Sequence, residues 1–244
     1  MPQNVDTSNT AEFDRYAEEY DAALAQGISV SGEDKNFFAN GRIVWTAQYV
    51  GKQTAPDTPL AVLDYGCGTG SATPFLLGEM GADRVIGVDI SAASIRVAGR
   101  DHADARAAYH TLTQYEPCGE MDGVFTNGVF HHIPVAERRE AMEYISRSLK
   151  PGGWFALWEN NWLSPATRYV MSRCPFDADA VPLTPRTAHT MLRDHGGFEI
   201  VRTDFLFIFP RVLKLLRPLE AKLSGLPLGT QYQVLCRKMG STGR

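Results

Sequence analysis

The stretch VLDYGCGTG, residues 62–70, places three glycines directly behind a short apolar run that carries one acid. The apolar run predicts a buried strand, and SATPFLLGEM, which follows at residues 71–80, predicts a helix. Glycines between a strand and a helix let the backbone approach a ligand without a Cβ clash and adopt positive φ angles. The helix adds unpaired N–H groups at its start. The stretch therefore predicts a cofactor site.

The same alternation continues along the chain. RVIGVDI (84–90), MDGVFTN (121–127) and PGGWFALWE (151–159) are typical of buried strands, and AAYHTL (107–112) predicts a weaker one. Helices are predicted between them, one opened by Ser91 as a cap and another over residues 135–150. Short apolar strands that alternate with helices predict an α/β fold with a parallel sheet covered on both faces.

The ends of the chain follow other patterns. Residues 11–24 and 36–50 predict two helices ahead of the sheet, and residues 160–184 predict a long irregular insertion. A helix over 185–197, a long strand over 198–210, a basic amphipathic helix over 211–224 and a final strand complete the chain. We predict a single domain over 1–244, with an N-terminal helical part (1–59), a cofactor-binding core (60–159) and a substrate-side part (160–244).

Composition narrows the class of protein. The net charge of -4 disfavours nucleic acid as a partner, because phosphates favour basic surfaces. No uninterrupted apolar run approaches the roughly 20 residues of a membrane span, so we expect no stable membrane insertion. The four cysteines lie far apart, with no C-x-x-C pair, which favours a reducing, cytoplasmic location.

Two details of the opening stretch select among cofactors. Gly66, Gly68 and Gly70 have a G-x-G-x-G spacing, whereas dinucleotide-binding loops use G-x-G-x-x-G. Asp64 lies just ahead of the turn, where its carboxylate would repel a pyrophosphate and attract a cationic group. Asp89 ends the next strand, and its two oxygens match the vicinal hydroxyls of a ribose. The prediction is a nucleoside cofactor with a positively charged tail and no phosphate.

VLDYGCGTG, VIGVDIS, FTNGVFHHI and LKPGGWFALWE together resemble the class I S-adenosylmethionine-dependent methyltransferases of the small-molecule type, over about residues 11–160. The resemblance implies a Rossmann-like three-layer sandwich whose seven-stranded sheet is mostly parallel with an antiparallel last strand. It also implies S-adenosylmethionine as the cofactor. The implied cofactor-binding residues are Tyr16, Asp64, Gly66, Cys67, Gly68, Gly70, Asp89, Ile90, Thr111, Leu112, Asn127 and Gly128.

One position departs from the family pattern. Many members carry an acid just after the third strand that holds the adenine amino group, whereas this chain has Thr111, Leu112 and Thr113 there. A hydroxyl or a backbone group would have to take that role, so the adenine contact stays open.

The acceptor side offers two histidines and an aromatic segment. NGVF after the fourth strand differs from the Asn-Pro-Pro-Tyr motif of amide methyltransferases, and His131 or His132 is the candidate general base. FDRYAEEYD (13–21) resembles the lid of small-molecule methyltransferases. The expected substrate-binding residues are Tyr20, Glu159, Asn160, Trp162 and Arg168.

The sequence thus predicts methyl transfer to a small molecule, most readily to an oxygen of a natural-product, sugar or lipid-linked metabolite. N- or C-methylation, an NAD(P)-dependent oxidoreductase and a non-catalytic binding scaffold are the alternatives. No full metal-ligand set is visible, so no metal is expected. A homodimer stays open, and PRVLKLLRPLEAKLS (210–224) suits either a pocket cover or a membrane surface.

Overall fold

The computed structural model describes residues 27–50, 58–173 and 180–240. Within these ranges the strands alternate with helices as the sequence predicts. The strands are β1 (Ala61–Tyr65), β2 (Arg84–Asp89), β3 (Ala107–Thr111), β4 (Met121–Asn127), β5 (Leu149–Asn160), β6 (Phe198–Leu206) and β7 (Gln231–Lys238).

The seven strands form one sheet in the order β3-β2-β1-β4-β5-β7-β6. The first five strands pair in parallel, while β7 lies antiparallel between β5 and β6. The predicted mostly parallel sheet with a reversed last strand is confirmed. The strand order changes direction between β1 and β4, and open α/β sheets bind their ligands in the crevice at such a point.

Helices cover both faces of the sheet. The helices are α1 (Lys35–Val50), α2 (Thr73–Gly78), α3 (Ala92–Asp101), α4 (Arg138–Ser148), α5 (Pro165–Met171), α6 (Pro185–His195) and α7 (Glu220–Leu223). One apolar core includes side chains of α4 and α6, and the core on the other face includes side chains of α1 and α2. The predicted cap is present, since Ser91 Oγ accepts from Ser94 N at 3.0 Å, and Gly196 ends α6 with a φ of 73°.

The C-terminal third differs from its prediction in two places. Residues 165–171, expected to be irregular, form α5, because Ser164 caps its start and Pro165 has a φ suited to the first turn. The predicted strand over 198–210 stops at Leu206, and Phe207 has a left-handed φ of 62°. This turn places Phe205 and Phe207 in the cores on opposite faces of the sheet, not on one strand face.

The predicted helix over 211–224 is also different. Residues Arg211–Leu219 form a 3-10 helix with a kink at Leu213, and only α7 behind it is an α-helix. Pro218 lacks an N–H and so cannot continue a regular ladder of α-helical hydrogen bonds. The connection from β6 to β7 therefore contains a 3-10 helix followed by a short α-helix.

Gly123 tests the packing of β4, the strand that leads into the candidate site. A Cβ at this position would overlap the indole ring of Trp154, whereas a Cβ at Gly99 in α3 would meet nothing within 4 Å. We expect Gly123→Ala to lower the free energy of unfolding by about 1–3 kcal/mol through overpacking. Gly99→Ala should raise it by about 0.5–1 kcal/mol. Urea titrations followed by circular dichroism measure both; equal midpoints would contradict this packing.

Candidate active site

The glycine loop between β1 and α2 is held against β2 by its own backbone. Gly66 N and Cys67 N donate to Val88 O at 2.8 and 3.0 Å, and Gly68 N donates to Asp89 Oδ2 at 2.8 Å. Gly66, Gly68 and Gly70 have φ angles of 73°, 51° and 81°, which side chains with a Cβ rarely adopt. The loop needs glycine at these positions for its backbone conformation.

The space around the loop differs from one glycine to the next. A Cβ at Gly66 would overlap Val129 Cγ2, and one at Gly70 would lie 3.0 Å from Ala98 Cβ. At Gly68 a Cβ would meet nothing within 4 Å. The loop is therefore packed on both sides of an open position, and a ligand can approach the backbone there.

Asp64, on β1 just before the loop, carries a buried carboxyl group. Its side chain is 3% exposed, and among the described residues its Oδ2 has no hydrogen-bond partner. Burial, followed by the nearby charge of Asp89, raises the pKa of Asp64 to about 7, while Arg42 acts in the opposite direction. A buried carboxyl with an unmatched oxygen is costly unless a ligand supplies a partner.

A chain of polar side chains runs from Arg42 along the sheet edge. Arg42 is buried on α1, and its Nη1 donates to Gln231 Oε1 at 2.9 Å. Gln231 Nε2 in turn donates to Asn160 Oδ1 at 3.3 Å. Since Asn160 ends β5 and Gln231 begins β7, these groups all lie at the edge where the parallel strands end.

Asp89 connects the glycine loop with the next helix. Besides Gly68 N, its carboxylate accepts from Ser91 N, which lies 2.9 Å from Oδ1. Its backbone carbonyl accepts from Leu112 N at 3.0 Å, while Thr111 N donates to Gln114 Oε1. Each carboxylate oxygen carries two lone pairs and can accept more than one hydrogen bond.

The end of β4 contributes Asn127 and Gly128. Asn127 Oδ1 is buried and has no hydrogen-bond partner among the described residues, and Gly128 N donates to Trp158 O at 2.9 Å. Gly128 has a φ of 66°, and a Cβ there would lie 3.5 Å from His131 Cε1. The imidazole of His131 therefore borders the carboxyl end of β4.

His131 and Glu159 form a buried pair. The distance between His131 Nδ1 and Glu159 Oε2 is 2.6 Å, and the side chains are 3% and 1% exposed. Glu159 Oε1 accepts from Phe130 N at 2.8 Å. Burial alone would raise the pKa of Glu159, but His131, His132 and the Phe130 N–H outweigh it and lower the pKa. Glu159 is therefore ionised at neutral pH and fixes one nitrogen of His131.

The structure describes some of the remaining predicted site residues but not all of them. Tyr16 and Tyr20 lie outside the described residues. Cys67 is buried with its Sγ near Gly87 of β2, and burial raises the pKa of its thiol. The three other positions are partly or fully exposed: Ile90, Trp162 and Arg168.

Glu159 was expected to contact substrate. The structure places both of its oxygens on Phe130 and His131 instead, beneath the surface of the site. Both contacts are made to the segment that directly follows β4. His132 is half-buried, and its ring centroid lies 4.1 Å from that of His131.

Two polar residues at this edge were not predicted from the sequence: Arg42 and Gln231. Arg42 lies on the same face of α1 as the buried residues Ala39, Ile43 and Thr46. A cation among core-facing positions of a helix is a readable signal of a buried charge partner. Gln231 gave no such signal, because its role depends on β7 meeting β5.

Two other features are absent from the described ranges, a cluster of metal ligands and a membrane-spanning helix. In them, no three or more His, Cys, Asp or Glu side chains gather in a way that could hold a metal ion. Across the same ranges, no helix combines the length and the apolar character that crossing a bilayer requires.

Known proteins resemble this chain mainly over the part that contains the glycine loop and the parallel strands. A family model described as a methyltransferase domain matches residues 62–153. A trans-aconitate 2-methyltransferase of Azoarcus sp. is 30% identical over 115 residues, which cover 47% of this chain and 45% of the relative. The chain spans less than half the length of the first curated relatives it matches.

Two further comparisons extend beyond this segment. A solved S-adenosylmethionine-dependent methyltransferase of Archaeoglobus fulgidus has a TM-score of 0.60 at 19% identity, covering 84% of this chain and 95% of that one. At this identity the likeness shows the fold alone. An uncharacterised methyltransferase of Synechocystis sp. is 33% identical over 150 residues, 58% of this chain and 68% of the relative. With this relative covered over two thirds of its length, the chain belongs to the class I S-adenosylmethionine-dependent methyltransferases.

Proposed function

We propose that this protein transfers a methyl group from S-adenosylmethionine to an oxygen of a small-molecule acceptor. The observation that carries the proposal is Asp64, whose buried carboxyl group has an oxygen with no hydrogen-bond partner among the described residues, beside the glycine loop. A negative group at this position favours a cationic ligand and disfavours a pyrophosphate. Family membership supports the same reaction class.

The residues present fit the two ends of this cofactor. Its amino-acid tail carries an ammonium and a carboxylate, and the site offers Asp64 and Arg42, of opposite charge and close enough to influence one another. Asp89 would accept from the ribose hydroxyls, and the open position at Gly68 would let the backbone approach the nucleoside. The charges of Asp64 and Arg42 are thus complementary to the ammonium and the carboxylate of the cofactor tail.

The bound cofactor supplies an electrophilic methyl group on a sulfonium. The chain has to hold the acceptor in line with that group, exclude water and remove the hydroxyl proton. Asn127 and Gly128 at the end of β4 and Asn160 at the end of β5 lie at the edge where acceptor and cofactor would meet. Trp162 and Arg168, just beyond β5, would contribute an apolar surface and a cation to the acceptor side.

His131 is the proposed base, and Glu159 its positioning residue. Ionised Glu159 accepts from Nδ1–H of the neutral imidazole, which leaves Nε2 as the proton acceptor. The ring borders Gly128 at the carboxyl end of β4, since a Cβ at Gly128 would lie 3.5 Å from His131 Cε1. In this role His131 Nε2 takes the proton from the acceptor hydroxyl as the oxygen–methyl bond forms.

The acceptor is assigned by class alone, as a hydroxyl or carboxylic acid oxygen of a metabolite. A relative is named for trans-aconitate, which supports a small acceptor. Screening with S-adenosylmethionine labelled at the methyl group, against sugars, phenols, carboxylic acids and amines, tests the assignment. Transfer of label to an oxygen nucleophile supports it. Transfer to amines alone, or to none of the panel despite cofactor binding, contradicts it.

Substitution of the buried pair tests the base. With a hydroxyl acceptor from the screen, which has a proton to lose, His131→Asn should lower kcat by about 10²–10⁴-fold and leave the affinity for S-adenosylhomocysteine within error. Glu159→Gln should shift the acidic limb of the pH–rate profile, because a neutral amide no longer stabilises the protonated imidazole. His132→Asn is the matched control and should keep both kcat and the profile. Loss of activity in His132→Asn with retention in His131→Asn would contradict the assignment.

Asp64→Asn should separate stability from binding. The pKa of Asp64 is about 7 in the folded protein and near 3.8 in the unfolded chain, so the wild type loses stability as the pH rises through that window. At pH 8 the variant should therefore have the higher free energy of unfolding, and the difference should vanish below about pH 4. The same variant should bind S-adenosylhomocysteine at least about tenfold more weakly.

Urea titrations at both pH values and equilibrium dialysis measure these two effects. Asp101→Asn, at an exposed position on α3, is the control and should leave cofactor affinity unchanged. An Asp64→Asn variant that binds the ligand as tightly as the wild type would contradict the placement of the cofactor tail.

A further inference from the structure

The connection between β6 and β7 exposes an unusual concentration of large apolar side chains. Seven of the fourteen exposed large hydrophobic residues in the described ranges fall within residues 212–228. Val212 and Leu215 are 89% and 87% exposed. We call this set the leucine surface: Val212, Leu213, Leu215, Leu216, Leu219, Leu226 and Leu228. A concentration of exposed large apolar side chains in one segment marks an interaction site.

The segment is attached to the protein by its charged side chains. Arg217 Nη2 donates to Glu33 Oε1 at 2.8 Å, and its guanidinium lies 4.4 Å from the centroid of the Phe37 ring. Arg211 Nη1 donates to Gly32 O. An amphipathic segment usually buries its leucines and exposes its charges. Here the polar contacts face the protein and the leucines face outward.

Glu220 reinforces this orientation from the other side. Its carboxylate accepts from three consecutive backbone N–H groups, those of residues 207, 208 and 209. The only acidic side chain of the segment is thereby directed into the turn that follows β6. The connection is thus fixed with its apolar side outward.

The basic residues of this segment indicate which kind of partner the leucine surface would bind. Residues 211–228 contain four basic residues and one acid, although the chain as a whole has a net charge of -4. Lys214 and Lys222 are exposed beside the leucines. Leucines flanked by lysines and arginines are the pattern of a segment that lies in a membrane interface. A second copy of the chain would bring two basic surfaces together, which is unfavourable.

We propose that the leucine surface binds the interface of an anionic bilayer, with the leucines and Val212 among the lipid chains and the lysines at the headgroups. β6 runs parallel to β5, so the connection after β6 lies at the sheet edge that carries the glycine loop. Binding would turn this edge toward the bilayer. This inference goes beyond the proposed methyl transfer and requires neither cofactor nor acceptor.

Co-sedimentation of the full chain with vesicles tests the proposal. At low ionic strength we expect binding to phosphatidylcholine vesicles that contain phosphatidylglycerol, weaker binding to pure phosphatidylcholine, and weakening by salt. Val212→Ser/Leu215→Ser should reduce the partition coefficient by about tenfold or more, because both side chains are almost fully exposed and available to lipid. Lys214→Glu/Lys222→Glu should remove the preference for the anionic vesicles.

The matched control is Val135→Ser, which changes an exposed valine outside residues 212–228 and should bind as the wild type does. Urea midpoints of all variants should agree, since the substituted side chains are exposed. Failure of the wild type to sediment with anionic vesicles, or equal sedimentation of Val212→Ser/Leu215→Ser, would overturn the proposal. A double variant that instead converts a dimer to a monomer in gel filtration would assign the surface to a second copy.

Discussion

The candidate site depends on one electrostatic constraint, a buried carboxyl group with one oxygen that has no hydrogen-bond partner among the described residues. Asp64 is flanked by the apolar residues of β1, and its pKa of about 7 reflects burial together with the charge of Asp89. Such a group destabilises the folded chain wherever it ionises. A cationic ligand would remove that penalty on binding. In this account the ionised carboxyl lowers the stability of the ligand-free protein and favours the binding of a positively charged ligand.

The rest of the edge is arranged around this group. Gly66 and Cys67 tie the loop to β2, Asp89 holds Gly68, and Arg42 reaches Gln231 and through it Asn160. These contacts link α1, β2, β5, β7 and the loop after β1 at the edge where the parallel strands end. Within the loop, Gly66 and Gly70 are closely packed against neighbouring side chains, whereas the space beside Gly68 is open.

Local patterns predicted the sheet and its loop, since each depends on residues close together in the sequence. Asp64, Asp89 and the glycines could be named because they adjoin the ends of apolar strands. The pairing of Glu159 with His131 joins residues 28 positions apart and could not be read from either motif. The same holds for Gln231, which meets Arg42 across 189 positions.

The connection after β6 shows another limit of sequence patterns. The sequence predicted a continuous strand over 198–210, yet Phe207 adopts a positive φ while Glu220 and Thr230 hold the turn. The amphipathic pattern of residues 211–224 was visible, but which side faces outward was decided by Arg217 and Glu220, whose partners are set by tertiary structure. A pattern defines two sides of a segment; the surrounding contacts choose between them.

The most direct test of the central claim is calorimetric titration of the wild-type protein with S-adenosylhomocysteine, with NADH and NADPH as parallel ligands. The account predicts micromolar binding of S-adenosylhomocysteine and no binding heat for either nicotinamide, because a buried carboxyl beside the loop favours an ammonium over a pyrophosphate. Binding of a nicotinamide cofactor in place of S-adenosylhomocysteine would contradict the role given to Asp64 and with it the proposed reaction.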